Sequence, residues 1–291
     1  MLLTREEMTF DFQGARLDPK RDRAILRFVL SQFLYGEVTG IQVGHWLHEA
    51  PDLEAARFLA KQALEEMQHV GNFVRILHML NLEPERAHPV VRFLATGMMG
   101  DSWAQHVATE MALGEGFVLS AMYAVIDTLD HPEVVEILKR ASRQEASHVD
   151  FGEQRTRALI VGSESLRRQL LGFGLIWLWG VCRLGDFMAS KLDRSHPVLR
   201  QLPQFTAHTL GCAELRMMRM GLCDVRPLTL AKWRQTALVA EALGSQMGRR
   251  VASIGSAPLH AMGMQRPRRL TDRYLSDPAL RIDASPRHTT P

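Results

Sequence analysis

Apolar residues recur along this chain at three- and four-residue intervals and alternating apolar–polar runs are scarce, so helix is expected nearly throughout. One candidate helix occupies residues 21–50, with Leu26, Leu30, Phe33, Leu34 and Ile41 on a single stripe. Pro51-Asp52 ends it, and Asp52 is placed to cap a second helix running to about Leu80. A connection of roughly 20 residues follows, long for a compact domain, carrying Pro84, Pro89, Gly97 and Gly100. A third helix is expected from Asp101 to Leu129. Asp130-His131-Pro132 supplies the next stop and start, with Asp130 as cap, and the fourth helix reaches Ile160. Two helical hairpins around one long crossover make a four-helix bundle, assigned to residues 20–160.

The pattern stays helical after Gly162, over 164–192, 197–221 and 228–253, so residues 161–253 form a helical C-terminal extension. Residues 254–291 carry Pro258, Pro267, Pro278, Pro286 and Pro291 and are expected to form an irregular tail. Composition changes this picture little. Hydrophobic residues are 46% and charged residues 23% of the chain, and the net charge of +3 comes from 30 Arg against 5 Lys spread along the sequence. Such a spread indicates no nucleic-acid partner. The three cysteines include no CxxC, which excludes a zinc ribbon or a rubredoxin-type iron site and fits a reducing cytoplasm. The N-terminus lacks a signal-peptide pattern. The longest uncharged apolar run, Leu170 to Cys182, is 13 residues, too short to span a bilayer. A cytoplasmic protein without a membrane span is therefore expected.

Glu-x-x-His sets a carboxylate and an imidazole on one helix face. Chance predicts fewer than one copy; there are three, Glu66…His69, Glu85…His88 and Glu145…His148. The middle copy falls between Pro84 and Pro89 in the crossover and is set aside. The other two lie mid-helix, in the second helix of each hairpin. Two further carboxylates stand on apolar stripes: Glu37 among Leu30, Phe33, Leu34 and Ile41, and Glu115 among Met111, Val118, Leu119 and Met122. Such carboxylates are costly unless paired or bound to metal. Each hairpin climbs and descends by similar numbers of residues, so at about 1.5 Å per residue Glu37 returns to the height of Glu66, and Glu115 to that of Glu145. Glu110, the competitor of Glu115, is off that height by more than a turn. Four buried carboxylates cannot all remain ionised without cations; two divalent metals would balance them, and mixed oxygen and imidazole donors suit Fe, with Mn as the other option.

The pattern Glu37…Glu66-x-x-His69…Glu115…Glu145-x-x-His148 resembles that of the ferritin-like di-iron carboxylate oxygenases and oxidases. The run from Glu145 through Glu153 resembles the last ligand helix of the aldehyde-deformylating oxygenases, as do the Glu-to-Glu separations of 29, 49 and 30 residues. The resemblance covers roughly residues 25–160 and implies an all-α, ferritin-like bundle holding two Fe ions, with O2 as co-substrate. It also implies bridging roles for Glu66 and Glu145, terminal ligation by Glu37 and Glu115, and one metal on each of His69 and His148. An enzyme of this kind oxidises a small, largely apolar organic substrate and draws electrons from a ferredoxin or flavin reductase; a homodimer is allowed.

Departures narrow the family. Phe73 stands where ribonucleotide reductase small subunits carry a radical tyrosine, and Ala141 where arylamine N-oxygenases carry a third histidine ligand. Rubrerythrins add a cysteine-ligated iron domain that this chain lacks, and ferritins are much shorter. The alternative function is iron handling, as a ferroxidase or peroxide scavenger.

Several positions admit two readings. Glu65 and Gln144 either orient ligand histidines across the bundle or lie on the surface. Gly36, Gly40, Gly114 and Gly116 make room either for substrate or for close helix packing. The run Leu171–Trp179 either walls a tunnel or fills the core. His45 and His48 read as core or rim histidines, and Tyr35 and Tyr123 as packing residues.

Overall fold

The structure is a computed structural model that describes residues 1–41, 46–47, 49–97, 100–191 and 195–261, with backbone only at 97, 188–191 and 252–261. The chain is all-helical: helix accounts for 78% and no strand occurs among the described residues. His45, His48 and residues 262–291, including Arg266, Arg268 and Arg269, lie outside them.

Four long helices carry the candidate residues. After a short α1 (Arg5–Met8) comes α2 (Arg23–Gly40), then α3 (Leu53–Met79). The crossover holds α4 (Pro89–Arg92) and a π-helical turn, Phe93–Gly97. The third rod is continuous: α5 (Trp103–Gln105), a ten-residue π segment (His106–Glu115) and α6 (Gly116–Thr128). α7 (Pro132–Ile160) is the fourth. The start of α2 meets the end of α3, where the Arg23 guanidinium donates to Leu80 O at 3.1 Å, so this pair is antiparallel. α3 and α7 are antiparallel too, clasped at one end by Arg155–Asp52 and at the other by Arg75–Glu133, each at 2.8 Å.

The stripes explain why these helices bury the faces they do. On α3, Ala55, Leu59, Gln62, Glu66, His69, Phe73 and Ile76 alternate steps of four and three and are all buried. On α7, Val134, Leu138, Ala141, Glu145, His148 and Gly152 do the same. The Glu and His pairs thus occupy core positions of otherwise apolar seams. Asp52 caps α3 as expected, its side chain accepting from Ala55 N at 2.7 Å.

Two boundaries and one winding differ from the sequence expectation. α2 ends at Gly40, and Ile41 is exposed instead of continuing the buried stripe. His131, not Asp130, caps α7, because the Asp130 N–H is engaged by Leu17 O and the imidazole accepts from Val134 N. The third rod is π-wound over ten residues, which changes its angular spacing. The N-terminal residues, unassigned from sequence, insert Leu3, Met8, Phe12 and Leu17 into the core.

The extension comprises α8 (Glu164–Lys191), α9 (Leu202–Arg219) and α10 (Lys232–Ala261), the last continuing beyond residue 253 into the expected tail. It is joined to the four-helix part by a fully buried ion pair, Arg216–Glu153 at 2.6 Å. By length and composition alone, Trp103–Thr128 and Glu164–Phe187 could each cross a bilayer, yet half or more of their most apolar stretches is buried. The 13-residue run therefore understated the longest apolar helices. Their apolar side chains are largely core: Met111, Leu119 and Ile126 in one, Leu170, Leu175, Trp177 and Leu178 in the other.

Candidate metal centre

The six residues singled out from sequence converge at the middle of the four helices. Two groups of potential metal donors form, Glu37, Glu66, His69 and Glu145 in one, and Glu66, Glu115 and His148 in the other. His69 Nδ1 lies 3.1 Å from Glu37 Oε2 and 2.9 Å from Glu145 Oε1. His148 Nδ1 lies 3.6 Å from Glu145 Oε2, 3.4 Å from Glu66 Oε1 and 3.7 Å from Glu115 Oε2. Glu66 Oε2 is 4.0 Å from His69 Nδ1. Glu66 and Glu145 therefore each turn one oxygen toward each histidine, whereas Glu37 neighbours His69 and Glu115 neighbours His148. The ring centroids are 6.4 Å apart.

The outer nitrogens of both histidines are held from the opposite hairpin. His69 Nε2 is 2.9 Å from Gln144 Oε1, and His148 Nε2 is 3.0 Å from Glu65 Oε2. The Gln144 amide also donates to Glu65 at 3.2 Å, and Lys61 approaches Glu65 at 3.0 Å. Of the two readings of Glu65 and Gln144, orientation across the bundle is the observed one. Gln62 was missed from sequence; its amide donates to Glu115 Oε1 at 2.7 Å. Its place four residues before Glu66, on the same face, was the available signal.

Electrostatics follow from burial of so many charges. Burial, reinforced by Glu145 and Glu66, holds the Glu37 carboxyl well above its ordinary range. Burial likewise raises Glu115, outweighing the opposing pull of His148. Burial alone would lower the histidines, but Glu145 with Glu37 raises His69 to about 11, and Glu145 with Glu66 raises His148 to about 12. Burial would raise Glu145, yet both imidazoles bring it down to about 2. Glu145 and the two imidazoles thus favour one another's charged forms.

Other candidates fall elsewhere. Glu110 is bonded to His106 and to Gly100 N, away from both donor groups. In the crossover, Glu85 pairs with Arg27, and the His88 ring caps α4 through Val90 N. Phe73 stacks on Phe33 at 5.4 Å in the core, Ala141 is buried, and Tyr123 lies beneath the Arg5 guanidinium. Comparison with family models, with curated proteins and with solved structures found no match to this chain.

A cavity of about 630 Å³ reaches the centre, with Glu37, Glu66, Glu115 and Glu145 in its lining. Its walls are mostly apolar, from Phe28 and Phe33 of α2 through Phe117 to Trp177 of α8 and Phe205 of α9. The cavity accounts for Glu115 retaining 21% side-chain exposure despite its central place. Trp177 is the one residue of the 171–179 run that lines it; Trp179 instead donates to Gln235. The four glycines divide. A side chain at Gly36 would meet nothing within 4 Å, and Gly36 is on the cavity wall. Gly114 is also on the wall. Gly40 lets Glu66 approach, since a Cβ there would lie 2.6 Å from Glu66 Oε2, and Gly116 admits the Arg216 guanidinium.

The donor set fits a pair of metal ions. Among the described residues, Glu115 Oε2 and His148 Nδ1 have no hydrogen-bond partner, and Glu145 Oε1 meets only His69 Nδ1, at 2.9 Å. Buried polar atoms are ordinarily satisfied, and all three are lone-pair donors once deprotonated.

Proposed function

We propose that this chain is a ferritin-like, non-haem di-iron oxygenase, an oxidoreductase that uses O2 to oxidise a small, largely apolar organic molecule. The observation that carries the reading is the double use of Glu66 and Glu145, each directed at both histidines, at the end of an apolar cavity. In this assignment Glu37, Glu66, His69 and Glu145 would hold one ion, and Glu66, Glu115 and His148 the other, with Glu145 also near His148. Fe is the expected metal, with Mn compatible with the same donors. When bound, the metal pair supplies O2 reduction.

The protein contributes the rest. Gln144 and Glu65 fix the imidazole planes so that the inner nitrogens face the metals. Gln62 holds one Glu115 oxygen and leaves the other for ligation. The apolar walls exclude water and seat the substrate beside the carboxylates. Electrons must come from outside, and a ferredoxin or flavin reductase is the expected donor.

The decisive measurement is metal per chain. Protein refolded or expressed with Fe(II) should hold two ions, and His69→Ala or His148→Ala should lose most of them. Glu85→Ala and His88→Ala should not. Two ions retained in both histidine variants would refute the ligand assignment. Accumulation of a ferric mineral by the intact protein would replace oxygenation with iron storage.

A further inference from the structure

The metal ligands are not the only buried polar groups on the cavity wall. His106 and Glu110, at the beginning of the π segment, also line it. The His106 ring is 3% exposed, stacked on Trp46 at 4.7 Å and flanked by Trp103. Its Nδ1 lies 2.8 Å from Glu110 Oε2, while the other Glu110 oxygen accepts from Gly100 N at 2.7 Å. Its Nε2 is buried without a hydrogen-bond partner among the described residues. Gln62, also on the wall, presents a second orphan, Oε1. Neither nitrogen of His106 belongs to a donor group of the metal centre.

The polarity of these orphans is determined by their neighbours. An ionised carboxylate only accepts, so the proton of the neutral imidazole resides on Nδ1, toward Glu110. Nε2 then offers a lone pair. Gln62 donates through its amide nitrogen to Glu115, which leaves its oxygen as acceptor. Desolvated acceptors on the wall of a mostly apolar cavity are costly without a partner. A ligand with an O–H or N–H group satisfies the His106 nitrogen; a ligand that can only accept does not.

Resting on the reading of the cavity as a substrate site, we propose that the His106–Glu110 pair is its polar anchor, selecting an apolar substrate that carries a hydroxyl or amine hydrogen-bond donor. His106 precedes Glu115 by nine residues, a rise of roughly 13 Å at α-helical pitch and less in a π segment. The donor group is therefore held about two turns from the metals, and the part of the substrate presented for oxidation is remote from it.

The test uses the full chain, with iron content measured on every sample, and two probes of equal length: 1-octanol, which donates, and 2-octanone, which only accepts. Binding is read by calorimetry. The intact protein should favour the alcohol over the ketone by roughly fivefold, the worth of one hydrogen bond. Glu110→Gln makes the argument sharper. Gly100 N keeps the new amide oxygen, so the amide NH2 faces His106 Nδ1, the imidazole proton moves to Nε2, and the anchor becomes a donor. The alcohol-to-ketone ratio should then fall or invert. His106→Phe, which retains the stack on Trp46, should abolish the preference, and circular dichroism reports whether each variant is folded. An unchanged ratio in folded Glu110→Gln, or an intact preference in folded His106→Phe, overturns the assignment; if neither variant folds, the intact protein's own preference decides, and equal affinities overturn it. A protein that holds no iron yet shows the His106-dependent preference would sink the oxygenase reading and leave the anchor standing.

Discussion

At the scale of single residues, the centre is a balance of charge that metal would take over from protons. Both histidines are raised, to about 11 and about 12, by the carboxylates around them. Each must lose its inner proton before it can ligate, so metal binding releases protons. Affinity for Mn(II) or Fe(II) should therefore rise with pH across the neutral range and fall on acidification. A Mn(II) titration followed by electron paramagnetic resonance at about pH 6, 7 and 8 checks this; a flat profile would show the imidazoles already free of protons. Glu65 gives a second residue-scale prediction. Burial pushes its pKa up, but His148 and Lys61 bring it below the ordinary value. Glu65→Leu removes the carboxylate that orients His148 and should weaken metal binding by about 10–100-fold without removing a ligand. Gly36→Leu, projecting into open cavity, should leave two metals bound and impair substrate oxidation, measured as product per O2 consumed. Gly116 would not serve this test, because its neighbour is Arg216 and not the cavity.

At the scale of elements, the hairpins were readable because their signals are local. Asp52 after Pro51 marks a start, and the repeated four–three spacing of Leu59, Gln62, Glu66, His69 and Phe73 puts the motif on a buried seam. Counting residues up one helix and down the next set Glu37 level with Glu66 and Glu115 level with Glu145; the donor groups join Glu37 to Glu66 and His69, and Glu115 to Glu66 and His148. The π segment left no comparable trace. Its residues, His106 to Glu115, are ordinary helix formers apart from Gly114, and winding is decided by what packs around them. The close approach of Gly152 to Val107 O, at 2.7 Å from a would-be Cβ, is part of that packing. The N-terminal insertion was equally hidden, because Leu3, Met8, Phe12 and Leu17 follow no helical period and their burial depends on distant partners. A π segment ending at a ligand is a common accompaniment of functional sites. Here it predicts that Glu115→Ala is severe and Glu110→Ala mild in metal content, read by elemental analysis, since only Glu115 joins a donor group. Equal losses would mean that the segment's register is set wrongly.

At the scale of the whole molecule, the extension is anchored by one buried charge pair and supplies cavity wall from α8 and α9. Arg216 is 1% and Glu153 0% exposed. Removing one partner strands the other, so Arg216→Ala should cost about 3–5 kcal/mol, seen as a lowered denaturant midpoint. Arg216→Met with Glu153→Leu should recover much of that loss; failure to recover would show that the pair does more than satisfy itself. The crossed support of the histidines has a different kind of consequence. Each ligand imidazole is steadied by the hairpin to which it does not belong: His69 by Gln144, His148 by Glu65. Half of the protein thus cannot assemble half of the centre, and an isolated hairpin should capture metal poorly even with its Glu-x-x-His intact. In the proposed assignment metal uptake should require both hairpins to be docked, so release of metal and parting of the hairpins should share one rate.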